Sequence, residues 1–442
     1  FAEAGNDSID AGAGTGDSVR YNQGGNQAIT ATISAVGGNT GYNDARVTTA
    51  SQGNDTIINF ENIDGSGSND AFIVNSAATS SSLLFVYGSS GNDTISVNTA
   101  NNAVMANYNT GSGFSGFTRG VSVDLSSGAD TLNPTGSATD AFGTDVLVNV
   151  RGVAGTSLAD TIFGTNFDDR FRGYAGNDYF NGRNGSDLVD YAMNASSQAV
   201  SVNLGSGNAN DGLGGTDTLI SIEQARGGAG NDVLIGDSNN NTFRGNAGND
   251  TIVGAGGTFD TGDYSAATAA VTVNLGTGEA QDGQGGVDSL AGIEVVWGSA
   301  YADTLIGGNG NDVIFGGIGN DTITGKKGVD AMFGDAGNDT ITGTGILVGG
   351  DNVDTLNAVG PRNVMIGGLG GDTLNAATGA TSSGDLMIGS WTDHDNNLQA
   401  LQAIRAEWAS AGTLDQRIDH ITGRVSGGLN GSFIMYSDFV GP

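Results

Sequence analysis

Five aspartates, Asp303, Asp312, Asp321, Asp330 and Asp339, recur every nine residues through ADTLIGGNG, NDVIFGGIG, NDTITGKKG, VDAMFGDAG and NDTITG. This period limits what the chain can fold into more than any other feature. Two residues after each aspartate stands an apolar side chain: Leu305, Ile314, Ile323, Met332 or Ile341. The pattern returns at Asp160, Asp169, Asp178 and Asp187, and at Asp232, Asn241 and Asp250. Nine residues fit a helix of about 3.6 residues per turn poorly, and the glycines would break one. One short strand plus one tight glycine turn fits each unit. Two units then make one coil of a flattened solenoid, and residues 18 apart stack at about 4.8 Å. On this spacing Asp303, Asp321 and Asp339 form one file, with Asp312 and Asp330 on the opposite edge.

Stacked carboxylates at that spacing repel one another unless a cation lies between them. The whole composition raises the same problem, with 48 Asp+Glu against 15 Lys+Arg and a formal charge of -33. Such a chain orders only if its charge is neutralised. Ca2+ suits the role because it accepts several carboxylate and carbonyl oxygens in flexible geometry, whereas Mg2+ is stricter. The glycines let the turns fold tightly enough to aim carbonyls inward. Fifteen scattered cations cannot form a nucleic-acid face. There is no cysteine, which excludes disulfides and thiolate sites, and no apolar run is long enough for a membrane span.

GGNGNDVIF and GGIGNDTIT match the nonapeptide GGxGxDxUx, U being a large apolar residue, so the chain resembles the repeats-in-toxin (RTX), or haemolysin-type, calcium-binding family. The resemblance implies an all-β fold: a parallel β-roll, a calcium-binding β-solenoid, with several Ca2+ ions between turns. It also implies type I export of an unfolded chain that folds outside the cell. Its ligands would be Asp160, Asp169, Asp178, Asp187, Asp232, Asp250, Asp303, Asp312, Asp321, Asp330, Asp339, Asp354 and Asp372. Asp93 in GSSGNDTISV and Asp55 in GNDTIINF are isolated copies. Gly308, Gly310 and Asn311, then Gly317, Gly319 and Asn320, would supply turn carbonyls. Asn241 and Asn363 stand where Asp is expected and should weaken their ions. Lys326 and Lys327 set two cations before Asp330, an unfavourable neighbourhood. Ala159 and Ala302 replace an Asn that is expected to offer only its backbone.

A longer module interrupts the arrays. The segment from Asp190 (DYAMNASSQAVSVNL) through DTLISIE is echoed from Asp263 (DYSAATAAVTVNL) through DSLAGIE, with weaker copies at Val121–Gly152 and from Tyr21. Four modules are expected, each an alternating strand, a polar Gly/Asp loop and a strand that rejoins the roll. Glu61, Glu223 and Glu294 on the rejoining strand have two readings, a calcium ligand or, favoured here, a hydrogen-bonding structural role. The expected division is 1–152 (degenerate roll modules), 153–257 (roll with inserted module), 258–384 (second module and longest array) and 385–442 (helical cap). In the last segment Leu398, Leu401, Ile404 and Trp408 have helical spacing, with Asp393 and Asp395 as N-terminal caps and Gly412 at the end. Thr413 to Gln416 forms a capping box for a second helix ending at Gly423. Together these helices are expected to cover the open end of the solenoid.

No catalytic constellation stands out. His394 and His420 lie in no zinc helix, GFSGF at Gly113 misses the nucleophile-elbow spacing, and GKKG lacks the phosphate-loop pattern. Asp260-Thr261-Gly262 has no partner triplet, and a metal at Asp393-His394-Asp395 is less favoured than helix capping. The chain is therefore expected to be no enzyme. It reads as a structural, self-assembling cell-surface or matrix component of S-layer or filament type, with self-association as its main partnership. Two alternatives remain open, an adhesin for carbohydrate or protein and the noncatalytic carboxyl-terminal region of a secreted enzyme. The start FAEAGND has no leader pattern, as expected of a processed chain or an excerpt.

Overall fold

The computed structural model describes residues 8–10, 17–21, 27–35, 43–49, 53–75, 83–98, 104–109, 119–126, 134–377, 384–392, 394–412, 414–421 and 428–429. Gly113, Asp393, Thr413, Gly423 and both chain ends lie outside them, and so do the expectations placed there. The chain forms two compact units, Phe1–Asn194 with Gln198–Gly227, and Ala195–Ser197 with Gly228–Pro442. Both are built from short parallel strands, and the only α-helices among the described residues stand near the carboxyl terminus.

Each nonapeptide is a three-residue strand and a turn, and successive strands alternate between two sheets. In the second unit Thr304–Ile306, Thr322–Thr324 and Thr340–Gly343 pair in parallel, with Leu305 on Ile323 on Ile341. Opposite them Val313–Phe315 pairs with Asp330–Ala336, placing Ile314 on Met332. The expected 18-residue register is therefore the one observed. The period of two sends each central side chain inward and its neighbours outward. Leu305, Ile314, Ile323, Met332 and Ile341 are fully buried between the sheets. Each such burial contributes about 1.5–3 kcal/mol. In the first unit Phe171 and Phe180 fill the same space, their rings stacked at 5.8 Å. Some coils depart from that step: Thr340 pairs with Thr355 and Ala331 with Ile346, 15 residues on, whereas Thr242 pairs with Thr261 and Val364 with Leu386 over longer coils.

The modules enlarge one sheet only, hereafter the wide sheet. What reads as a polar loop forms an antiparallel middle strand: Asn208–Asn210 between Ser201–Asn203 and Thr216–Ile220, and Glu279–Gln281 between Thr272–Asn274 and Val287–Ala291. Thr135–Thr139 and Asn43–Thr49 occupy the same place in the two earlier modules. The three strands enter the sheet in reverse chain order, so both outer strands stay parallel to the coils beside them. Thr251–Val253 lies against Val287–Ala291, and Thr304–Ile306 against Thr272–Asn274. The narrow sheet gains nothing: Thr261–Asp263 pairs directly with Val295–Trp297.

The helices do not close the end of the solenoid. Helix α1 (Leu398–Trp408) lies over the outer face of the narrow sheet and buries Leu401, Ile404 and Trp408 against Phe333, Ile346, Val348, Val364, Ile366 and Ile388. These sheet residues point away from the roll interior, and their apolar character is what requires a cover. Helix α2 (Leu414–Ile421) packs on α1, with Arg417 stacked on Trp408 and His420 Nδ1 2.8 Å from Glu407 Oε1. The N-cap of α1 is Asn397, whose side chain accepts from Ala400 N–H. Asp395 instead accepts from Thr392, closing the preceding turn, so the expected capping by aspartate is corrected.

Candidate metal centre

The aspartates of each edge form a ladder along the roll. One carboxylate oxygen, Oδ1, accepts the backbone N–H of the aspartate one coil earlier: Asp303 to Asp321 (2.7 Å), Asp321 to Asp339 (2.7 Å), Asp339 to Asp354 (2.8 Å) and Asp354 to Asp372 (3.0 Å). The opposite edge runs Asp312 to Asp330 (3.0 Å). Elsewhere the same bond joins Asp160 to Asp178, Asp169 to Asp187 and Asp232 to Asp250, each at 2.8 Å. The modules continue the ladder through Asp217 and Asp288, which accept from Asp178 and Asp250. Glu61, Glu223 and Glu294 take the same place on the other edge, accepting from the N–H groups of Asp17, Asp187 and Asp260. The hydrogen-bonding role favoured for these glutamates is thus present in the structure.

The second oxygen, Oδ2, divides the turns into two classes. In closed turns it accepts the N–H of the residue four positions earlier: Ser66 for Asp70, Thr156 for Asp160, Thr165 for Asp169, Gly228 for Asp232, Ser299 for Asp303 and Gly308 for Asp312. Ser66, Thr156, Thr165 and Ser299 add their hydroxyls to the same carboxylates. Asn241 closes a turn likewise, its Oδ1 accepting from Asp237 N–H at 2.8 Å. In open turns Oδ2 is buried and has no hydrogen-bond partner, at Asp93, Asp178, Asp187, Asp250, Asp321, Asp330, Asp339, Asp354 and Asp372. At every one of these the residue four positions earlier has positive φ: Ser89, Tyr174, Arg183, Asn246, Gly317, Lys326, Asp335, Gly350 and Gly368. The left-handed residue turns its own N–H away from the carboxylate, so backbone conformation decides the class.

Two glycines mark places in an open turn where a side chain does not fit. Gly319 has φ +150°, and a Cβ there would strike the Tyr301 carbonyl of the coil beneath. At Gly316 a Cβ would fall 2.5 Å from Asp321 Oδ2 and 2.7 Å from the Gly334 carbonyl. Carboxylate and carbonyl oxygens therefore crowd one place at the edge of the coil. Lys326 adopts φ 66° despite its side chain, and both Lys326 and Lys327 are exposed. The turn of Asp330 is thus an open turn like its neighbours.

Burial pushes the Asp93, Asp178, Asp187 and Asp250 carboxyls from 3.8 up to about 8, and those of Asp330 and Asp339 to about 7; the closed-turn carboxyls rise too, Asp169 to about 7 and Asp160 and Asp312 to about 6. Asp321 and Asp354 rise to about 6 for the same reason. A buried carboxylate with an orphan oxygen is the donor a hard cation satisfies. Among the described residues no three Asp, Glu or His side chains converge on one point, so a cation here would complete its shell with turn carbonyls. On this test the open turns fit Ca2+.

Other expected ligands are placed differently. Gly308 and Gly310 belong to a closed turn, and neither has positive φ. Asn311 and Asn320 use their side-chain oxygens to accept the N–H groups of Val329 and Asn338, 18 residues on, which leaves only their carbonyls. The asparagine before each aspartate thus has a side-chain function that the sequence reading missed, and Ala159 and Ala302 each forgo one such bond. Asp55 accepts from the Tyr21 hydroxyl (3.1 Å) on a module strand. The other modules repeat this contact as Tyr108 to Asp145, Tyr191 to Asp217 and Tyr264 to Asp288, at 2.7–3.0 Å. The tyrosine that begins each module is the readable signal for it. Asn363 lies off the open turns, its Oδ1 accepting from Gly345 N–H.

The family described as RTX calcium-binding nonapeptide repeat (4 copies) matches residues 1–16, 85–106, 154–189, 226–258, 288–323 and 324–345. Asp354 and Asp372 lie beyond the matched segments yet share the open-turn geometry. No curated protein matches the chain.

Proposed function

The chain carries RTX calcium-binding nonapeptide repeats, and from this we propose that it is a secreted calcium-binding β-roll protein serving as a structural, self-assembling component of a cell surface or extracellular matrix. The observation that carries the reading is the set of buried, partnerless Oδ2 atoms in the open turns. Calcium supplies the missing charge and lets carboxylate and carbonyls share one partner. Binding free energy then becomes folding free energy, so the arrays form where calcium is plentiful, outside the cell. The assembly part draws support from exposed apolar side chains on one edge of the second unit, Tyr301, Ile318, Val353 and Leu369. A solvated monomer gains nothing from this row, whereas lateral contact between rolls would bury it. Among the described residues no helix is long and apolar enough to cross a membrane.

A second reading, a glycan- or protein-binding adhesin, rests on Trp297. The residue is 42% exposed and its ring packs edge-on against Phe315 on the narrow sheet. Circular dichroism in EDTA and then millimolar calcium tests the calcium reading, with β structure expected only after calcium. An unchanged β spectrum in EDTA overturns it. Electron micrographs of the calcium-loaded protein should show sheets or filaments; persistent monomers that bind glycan favour the second reading.

A further inference from the structure

On the strands of a module the carboxylates find partners within the protein; the hairpin aspartates Asp211 and Asp282 keep one buried oxygen, Oδ2, without one. In the second unit Tyr264 O–H donates to Asp288 Oδ2 at 3.0 Å, and Asp288 Oδ1 accepts from Asp250 N–H. Arg244 pairs with Asp263 across adjacent narrow-sheet strands. Asp282 Oδ1 holds the hairpin loop through the N–H groups of Gln284 and Gly286. The coil that follows opens with two closed turns, those of Asp303 and Asp312. The first unit repeats the arrangement with Tyr108 on Asp145, followed by the closed turns of Asp160 and Asp169.

We propose that each module, with the coil that follows it, is a calcium-independent template on which the open-turn array winds as ions bind. The proposal rests on the calcium reading of the open turns and adds a device to it. A solenoid coil has no stable edge until a neighbour exists, and the first coil bears the whole cost of nucleation. The module removes that cost by offering paired strands whose own carboxylates, Asp288 and Asp263, are already satisfied by hydroxyl, N–H and guanidinium donors. The second unit places the closed turns of Asp303 and Asp312 first and the open turns of Asp321, Asp330 and Asp339 after them. The order along the chain is therefore template first, ion-dependent coils second. Calcium lengthens an existing roll from a fixed start and does not have to create one.

The test is segment-resolved hydrogen exchange of the full chain in EGTA and in saturating calcium. In EGTA, residues 271–313 should remain protected while residues 320–372 exchange freely, and calcium should protect both. Tyr264→Phe and Ser299→Ala should fold in calcium, but lose protection at 271–313 in EGTA. They should also raise the calcium concentration that half-protects 320–372 by about tenfold, the effect of losing one hydrogen bond to a charged acceptor. If both segments lose protection together in EGTA and regain it at one calcium concentration, the template is refuted and the calcium reading stands. Full protection of both in EGTA refutes the calcium reading itself. Protection of 271–313 that survives both substitutions also overturns the proposal, since the hydroxyl closures would not be its source.

Discussion

Replacing Asp321 separates the two functions that its carboxylate combines. Oδ1 accepts Asp303 N–H at 2.7 Å, and Oδ2 is buried without a partner. Asp321→Asn keeps an oxygen for the ladder, as Asn363 does for Gly345, and puts a neutral amide where the cation needs charge. At calcium a hundredfold above the dissociation constant, losing that ion removes about 2.7 kcal/mol, or about 100-fold in exchange protection. Asp321→Ala loses the same ion and also orphans a buried N–H, a further cost of about 1–3 kcal/mol, or about 5- to 150-fold. The assay is hydrogen exchange at the amides of Thr322–Thr324 and Thr340–Gly343 in saturating calcium. The expected order of protection is parent, then Asn, then Ala. An Asn variant as well protected as the parent refutes Oδ2 as a ligand. Equality of Ala and Asn refutes the energetic weight of the ladder.

Acid should partly replace calcium. The orphaned aspartates have folded values raised above 3.8, so between that value and about 8 the folded chain binds more protons than the unfolded one. Stability therefore falls as pH rises through that window. In EDTA, circular dichroism should show more β structure at pH 5 than at pH 8, and the reverse order refutes the assignment. Lys326→Gly removes a left-handed non-glycine residue at φ 66°, worth about 1–2 kcal/mol, against an entropic cost of about 0.5–1 kcal/mol. A gain of up to about 1.5 kcal/mol is expected in thermal unfolding with calcium, while Lys327→Gly at the exposed neighbour should change little. Leu401→Ala in α1 removes a fully buried side chain and should cost about 2–5 kcal/mol locally, read as lost protection of 398–408.

The period of nine reveals the coil, the register and both files of aspartates, because a repeat that stacks on itself leaves little freedom. It does not reveal which turns are open. GGNGND at 307–312 matches the motif in full and is closed, whereas GKKGVD at 325–330 departs from it and is open. The decisive quantity is φ four residues before the aspartate, and glycine at that position is compatible with either sign. Residue type at that position is only a partial guide: Thr156, Thr165 and Ser299 donate hydroxyls in closed turns, yet Ser89 stands at the same place in the open turn of Asp93 with φ 74°. The placement of α1 had a legible trace in the strands. TIT at 322–324 turns two threonines outward, but VIF, AMF, ILV and VMI in the narrow sheet turn apolar residues outward, and those are the residues that α1 and its neighbours cover. The middle strands NAN and EAQ left almost no trace, since alanine is their sole apolar residue.

The placing of asparagine bears on why the open turns carry acid at all. The ladder needs one oxygen acceptor per coil, and asparagine supplies it: Asn363 accepts Gly345 N–H at 2.8 Å. A ladder of amides would hold the same register without buried charge, and without the repulsion a chain of net charge -33 must overcome. Yet the two asparagines found at aspartate positions, Asn241 and Asn363, both lie outside the open class, and every open turn among the described residues keeps its carboxylate. Charge is retained where the second oxygen has nothing in the protein to bond. Structure alone gives no reason for that pairing, because each such oxygen destabilises the calcium-free fold. A cation that binds the oxygen explains the distribution. It predicts that a variant with asparagine at all the open positions would form the roll in EDTA and no longer respond to calcium. A variant that stays unfolded in EDTA would show that something other than carboxylate repulsion keeps the calcium-free arrays apart.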